Sequence, residues 1–337
     1  MKNYNIAIIG CTGAVGVEMI KCLENLKIPI SQLKLGASPR STGKIVETFM
    51  GNIEIKEVNE DFFENIDYAL FSAGGEKSKK YIPIAVDKGV VCIDNSSYFR
   101  YDENIPLVVP QINGDTIGNS KIIANPNCTT AIAAVVLNPI YKKYGIKKII
   151  MSTYQATSGG GAKAMAELEG NTQKYFSGEK ATIEQFVDNI AFNVIPHIDK
   201  FQENGYTKEE MKVVWETQKI FGDNNIDISC TCVRIPTFRA HSESIVLETE
   251  KNVDIEDIKN ILENAPGVDL VDDIENNKYP MPLYASGKNN VEVGRIRKNL
   301  VFGDKGIELF ISGDQLLRGA ALNAVEILEV CINNLKK

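Results

Sequence analysis

The chain lacks any apolar run near the about 20 residues that a membrane-spanning helix needs, so no membrane partner is expected. Its opening, MKNYNIAIIGCTG, turns to glycine-rich sequence too soon for a signal peptide. Basic excess is also missing: 37 Lys and Arg face 44 Asp and Glu, a net charge of −7, which argues against non-specific nucleic-acid binding. There are only two histidines, His197 and His241, and no Cys-x-x-Cys pair, so no metal site is expected. Seven cysteines are an odd number in a long chain, which speaks against a disulfide framework. Cys230 and Cys232 stand two apart in a β-like run and read as packing on one strand face. No internal repeat or low-complexity tract is present. The expected setting is the cytoplasm.

What is there is ordinary globular composition, 44% hydrophobic and 24% charged, over 337 residues, enough for two domains with full cores. Residues 4–9 read as a buried strand and 14–26 as an amphipathic helix. A second short strand covers 33–37, and 45–61 reads as a connecting hairpin. Strand-like runs recur at 68–72, 90–94, 107–109 and 121–124, with a helix over 77–88. Strands alternating with helices imply right-handed crossovers and a mostly parallel sheet. After a long apolar helix at 131–144 the texture changes: a strand over 146–156, a helix over 161–176, then adjacent strands at 229–236 and 243–250. Two more strands follow at 291–296 and 306–311. This suits a mixed sheet covered on one face. The closing helix spans 315–335, with Asp314 as its N-cap.

Gly10-Cys-Thr-Gly13-Ala-Val-Gly16 lies between the first strand and first helix, where backbone N–H groups and the helix start can meet a pyrophosphate. Glycines at this spacing also merely permit turns; the strand–turn–helix position favours the dinucleotide. The second strand ends Leu35-Gly-Ala-Ser38-Pro-Arg40-Ser41, without the carboxylate that usually holds an NAD ribose. Ser38, Arg40 and Ser41 suit a 2′-phosphate, hence NADP, unless Arg40 is a solvated loop charge. Cys128, in Asn125-Pro-Asn127-Cys128-Thr-Thr, starts the long apolar helix, where the helix dipole favours a thiolate. A buried helix-start cysteine is the bland reading. His241 can accept the thiol's proton and later donate one. His197, with apolar neighbours, reads as structural.

The glycine-rich turn, Asn127-Cys128-Thr129, Gln155 before Thr157-Ser-Gly159, and Arg234 seven residues ahead of His241 together resemble aspartate-semialdehyde dehydrogenase of the compact bacterial type, over almost the whole chain. The resemblance implies a Rossmann-type NADP-binding domain (1–128 and 314–337) and a mixed-sheet α/β catalytic and dimerisation domain (129–313). It also implies a homodimer or homotetramer. The implied reaction is NADPH-dependent reduction of L-4-aspartyl phosphate to L-aspartate 4-semialdehyde and phosphate. Cys128 matches the acyl-thioester nucleophile, His241 the acid/base and Gln155 the residue orienting the acyl group. Arg234 matches the grip on the substrate carboxylate and Glu216 the partner of its ammonium. Arg100, Lys219 and Asn127 match phosphate ligands. For NADP the matching positions are Gly10, Thr12, Gly13, Ala14, Val15, Gly16, Ser38, Arg40, Ser41, Ser72, Ala73, Gly74, Gly75, Ser158, Gly159, Gln315 and Asn323.

These residue types fit a substrate with a carboxylate, an ammonium and a phosphate; arginine's planar fork gives the carboxylate two parallel hydrogen bonds. Without the resemblance, Glu216 and Lys219 would read as a solvated helical pair and Arg100 as a surface charge. Two positions depart from the family pattern. Cys11 stands where alanine is usual and adds an oxidisable thiol, and the Gly159–Gly161 run has glycine where alanine is common. Rival readings are N-acetyl-glutamyl-phosphate reductase, whose uncharged acylated nitrogen leaves Glu216 without a counter-ion, and a catalytically silent NADP-binding thiol redox sensor.

Overall fold

The apolar, β-branched run Tyr4–Ile9 forms β1, the centre of the first sheet in a computed structural model that describes residues 2–334. From it the chain passes through α1 (Ala14–Asn25), β2 (Ile30–Ala37), a hairpin of β3 (Ile45–Thr48) and β4 (Gly51–Glu54), and β5 (Lys56–Glu57). Then come β6 (Tyr68–Phe71), α2 (Gly75–Asp87), β7 (Val91–Asp94), the one-turn α3 (Pro110–Asn113) and β8 (Ile122–Ala124). Six of these strands pair in the order β5-β2-β1-β6-β7-β8, every pairing parallel. The order reverses at β1, whose neighbours are β2 and β6. The loops leaving β1 and β6 therefore part at the strands' carboxyl ends, the usual ligand crevice of such sheets. Ile9, Phe63, Phe71, Ile82 and Cys92 are among the buried residues that pack under it.

The second half starts with α4 (Cys128–Tyr144), β9 (Lys148–Gln155), α5 (Ala162–Ser177) and α6 (Lys208–Phe221). It continues through β10 (Asp227–Arg234), β11 (His241–Glu248), α7 (Ile255–Glu263), β12 (Val268–Leu270), the short α8 (Pro282–Ala285), β13 (Val291–Lys298) and β14 (Gly306–Gly313). Its mixed sheet runs β10-β9-β11-β14-β13-β12, parallel at both outer pairs and antiparallel between. The last helix, α9 (Leu322–Asn334), belongs with the first sheet: the compact units are Met1–Asn127 with Ala320–Lys337, and Cys128–Gly319.

Three sequence expectations need correction. The run 107–109 is no strand; it makes a single bridge from Leu107 to Ala124, because Pro106 precedes it and Pro110 opens α3. The strands expected at 229–236 and 243–250 are not neighbours, since β9 lies between them. Residues 235–240 cross the end of β9, held there by Thr157 N–H to Thr237 O (2.8 Å) and Ser158 N–H to Phe238 O (3.1 Å). The closing helix does not begin at Gln315. Asp314 Oδ1 accepts from the amides of Leu316 and Leu317 (2.9 and 3.2 Å), but a π-helical turn, Leu317–Ala321, precedes α9. Leu335, its expected last residue, lies outside the described residues, as do 336–337 and Met1.

Candidate active site

Strand direction gathers four residues onto one edge of the mixed sheet. β9 and β10 run parallel and end at Gln155 and Arg234, which pair in register. β11 runs against β9 and so begins at that edge with His241, opposite Gly313 at the end of β14. The alternation of side chains puts Arg234, Gln155 and His241 on the same buried face. One row deeper, on that face, stand Cys232, Thr153, Glu243 and Ile311. None of this row is local in sequence; register assembles it.

Hydrogen bonds hold the edge. Thr153 Oγ1 donates to Gln155 Oε1 (3.0 Å), and Gln155 Nε2 donates to Glu209 Oε1 (3.2 Å). Arg234 Nη1 donates to Ala156 O (2.6 Å), while the Ala156 amide donates to His241 Nδ1 (3.0 Å). Burial, and secondarily the Arg234 charge, push His241 down to about 3. His241 is fully enclosed at the head of β11. Gln315 binds the same edge, donating to Ser158 Oγ and accepting from the Ala240 amide (2.8 Å).

Cys128 is the first residue of the 17-residue α4, placed at the positive end of its dipole. It is partly exposed, whereas the other six cysteines are buried. Its thiol is near enough to Arg234 to act on that guanidinium electrostatically. Cys11 is enclosed, and burial pushes its thiol up to about 11, so it is a poorly ionised packing group rather than a reactive neighbour of a cofactor. Cys230 and Cys232 lie side by side, sulfurs 3.7 Å apart. His197 stacks on Phe201, centroids 4.8 Å apart.

Glu209 and Lys212 were not anticipated. The capping box Thr207–Glu210 starts α6, with Glu210 N–H to Thr207 Oγ1 at 3.3 Å and Thr207 N–H to Glu210 Oε2 at 2.6 Å. The threonine-x-x-glutamate signal was present in the sequence. It sets a helical stripe of Glu209, Lys212, Glu216 and Lys219, in which Lys212 bridges Glu209 (2.9 Å) and Asp199 (2.8 Å). Glu216 is fully buried and Lys219 half-buried.

In the other unit a cavity of about 570 Å³ opens at the carboxyl ends of β1, β2 and β6. Gly10, Thr12, Gly13, Ser38, Ser72 and Ala73 line it, while Ala14, Val15 and Gly16 form the first turn of α1 behind the loop. Gly10 has φ +90°, and a Cβ there would stand 2.2 Å from Ser72 O, so the two loops touch only because position 10 is glycine. Gly74 and Gly75 start α2. Arg40 and Ser41 sit in a short turn beside Ser38, outside the immediate lining, whose cations are Lys77 and Lys80. Glu57 lines it too, paired with Ala37 at the end of β2. Arg100 and Asn323 come together elsewhere in this unit. Arg100 Nε donates to Asn125 O (2.8 Å), and Asn323 Nδ2 donates to Asn125 Oδ1 (2.6 Å) and Val108 O (2.9 Å). Asn127, buried, ends the unit.

Comparison with known proteins matches both halves. Residues 5–120 fit the model described as semialdehyde dehydrogenase, NAD binding domain, and 137–318 the semialdehyde dehydrogenase, dimerisation domain. An aspartate-semialdehyde dehydrogenase of Aquifex aeolicus is 49% identical over 98% of both chains. One from Bacillus subtilis is 46% identical over 97% of both. The crystal structure of aspartate semialdehyde dehydrogenase II complexed with ASA from Vibrio cholerae superposes with a TM-score of 0.96 at 44% identity, covering 99% of each chain. Neither rival reading, the N-acetyl-glutamyl-phosphate reductase or the silent redox sensor, is favoured by these relatives. With a thiol, amide, guanidinium and imidazole in the expected chain order and relatives of that name along the full length, the chain belongs to the aspartate-semialdehyde dehydrogenase family.

Proposed function

We propose that the chain reduces L-4-aspartyl phosphate to L-aspartate 4-semialdehyde and phosphate, the second step of the aspartate pathway to lysine, methionine, threonine, isoleucine and diaminopimelate. The observation that carries this is the buried row Arg234–Gln155–His241 on the sheet edge, in the same unit as a partly exposed thiol at a helix start. The Vibrio cholerae relative, solved with ASA bound, supports the same substrate.

Cys128, as thiolate, attacks the acyl carbon and expels phosphate, forming a thioester. Arg100, Lys219 and Asn127 are assigned to the phosphate, Arg234 to the carboxylate and Glu216 to the ammonium. Gln155, its amide fixed by Thr153 and Glu209, orients the acyl group. His241 is assigned as the acid/base, moving the proton as the thiohemiacetal on Cys128 collapses to the aldehyde. NADPH, when bound, supplies the hydride that reduces the thioester carbonyl. The glycine-lined cavity has the size and backbone approach an ADP moiety needs, and Ser38, Arg40 and Ser41, with Lys77 and Lys80 nearby, suit a 2′-phosphate. Ser158, Gly159, Gln315 and Asn323 are assigned to the remainder of the nucleotide. The matched dimerisation domain supports assembly of two or four chains through the Cys128–Gly319 unit.

The test is phosphate-dependent reduction of NADP with aspartate semialdehyde, followed at the reduced-nucleotide absorbance band. Turnover that requires phosphate and fails with N-acetyl-glutamate semialdehyde is expected. Equal turnover of the acetylated aldehyde would overturn the substrate assignment.

A further inference from the structure

The sheet of the nucleotide unit ends at one edge on β5, whose two residues pair in parallel register with the end of β2, Lys56 beside Gly36 and Glu57 beside Ala37. Glu57 therefore stands at the carboxyl end of the edge strand and lines the 570 Å³ cavity that opens there. Its neighbours hold it in place. Val58, which follows, is buried, and Asn59 caps the next turn by accepting from the Phe62 amide (2.9 Å). Gly36 permits the close fit of this segment on β2: a Cβ there would stand 2.7 Å from both Val58 Cγ2 and Phe62 Cζ. The lysines of β2 and β5 are engaged elsewhere, Lys34 with Phe62 O (2.6 Å) and Lys56 with Glu54 (2.7 Å). Glu57 has no hydrogen-bond or ion-pair partner among the described residues.

The cations of the lining have a different origin. Lys77 and Lys80 come from the first half of α2 and lie over the Tyr81 ring, 5.7 and 4.8 Å from its centroid. Strand order then apportions the dinucleotide. The glycine turn after β1 is assigned to the pyrophosphate, and Ser38, after the end of β2, to the ribose side. β5 lies one strand further out, about 4.8 Å beyond β2 and roughly 10 Å from β1. The base is the part of the nucleotide left to fill that end. Ala37, Pro39, Val58 and Tyr81 give it mostly apolar walls, and Glu57 is the one carboxylate among the described residues that line the cavity.

We propose that Glu57 selects the base of the nucleotide, its carboxylate accepting a hydrogen bond from the exocyclic N6 amino group of adenine. This rests on the NADP reading above and adds the residue that recognises the base. An ionised carboxylate only accepts, and adenine presents an N–H donor at that edge. Hypoxanthine and guanine carry an oxo group in the same place, which sets an acceptor against an acceptor. Charge-assisted bonds are the stronger ones, and a mismatch leaves the site's own group unpaired. The placement also separates two demands. A carboxylate at the end of β2 is the usual partner of an unphosphorylated ribose and would repel a 2′-phosphate. One strand outward, the acid is removed from the phosphate, which stays with Arg40, Lys77 and Lys80.

Dissociation constants of the full chain for NADPH and for reduced nicotinamide hypoxanthine dinucleotide phosphate, measured by fluorescence titration, isolate the base. The unmodified protein is expected to bind NADPH about tenfold more tightly than the hypoxanthine analogue. Glu57→Ala should bring the two within about twofold of each other, chiefly by weakening NADPH. Glu57→Gln offers both an acceptor and a donor, so it should level the two bases while keeping more of the NADPH affinity than Glu57→Ala. Glu57 is exposed, so both variants are expected to keep the Tm of the unmodified protein. An adenine preference that survives in both variants overturns the proposal. So does a loss that is equal for the two bases but differs between NADPH and NADH, since Glu57 would then act at the 2′-phosphate. NADPH bound without any base preference in the unmodified protein sinks the proposal alone; no binding of NADPH at all sinks the NADP reading with it.

Discussion

The two units solve the problem of presenting polar groups in opposite ways. In the nucleotide unit the ligand surface is mostly backbone, exposed by Gly10 and its neighbours, and several buried side chains satisfy one another, although Asn323 Oδ1 has no partner among the described residues. Asp94 accepts from Ser78 and Ser96, and Asn125 bridges Asn323 to the Arg100 segment. In the other unit the site is made of side chains on strand ends, and satisfaction is incomplete. His241 Nε2 and both oxygens of Glu243 are buried with no partner among the described residues. Unmet polar groups cost stability, and they stand where the chemistry is assigned. The binding unit presents main chain; the catalytic one presents buried side chains whose partners the reaction must supply.

Breaking the catalytic side should have the larger effect. Cys128→Ala is expected to lower turnover by roughly 10⁴-fold or more while NADPH binding, measured by fluorescence titration, changes less than about twofold. Retained turnover would remove the nucleophile assignment. Arg234→Leu should raise KM for the semialdehyde by about 10–100-fold, since a buried charge-assisted contact is lost; an unchanged KM contradicts the carboxylate role. On the binding side Gly10→Ala forces a Cβ into Ser72 O and should weaken nucleotide binding by about tenfold with a lower Tm. Binding that stays tight would show the loop to be more pliant than its contacts indicate.

Smaller effects sharpen the contrast. Arg40→Ala should narrow the NADPH over NADH preference several-fold, and Lys77→Ala with Lys80→Ala further, because those lysines line the cavity. Equal loss with both nucleotides would argue against a 2′-phosphate contact. Last, burial raises the Glu243 carboxyl well above its ordinary range. The unfolded carboxyl loses its proton above about 4.5 while the folded one keeps it, so stability falls as pH rises beyond that value. Glu243→Gln should therefore raise Tm more at pH 8 than at pH 5. The opposite trend would mean that Glu243 is ionised in the fold. His241 has the reverse sign: its depressed value makes the fold lose stability as pH falls from about 6.5 towards 3.

The same contrast explains what the sequence revealed. The glycine turn was legible because a strand–turn–helix is local, and its geometry follows from three glycines. The Cys128, Gln155, Arg234 and His241 motifs were recognisable as a set. Their convergence was not, because it depends on β9 standing between β10 and β11, which no local pattern states. Glu209 was missed for that reason, although the capping box ahead of it marked the start of α6. The hydrogen bond that holds the His241 ring was beyond sequence altogether: its donor is a main-chain amide 85 positions away.

Acyl transfer through the Cys128 sulfur is tested most directly by trapping. The enzyme is mixed with L-4-aspartyl phosphate in the absence of nucleotide, quenched in acid, digested and mapped by mass spectrometry. An aspartyl adduct on the peptide carrying Cys128, discharged when NADPH is added before the quench, is predicted. An adduct on any other side chain, or none in enzyme that turns over normally, would contradict it.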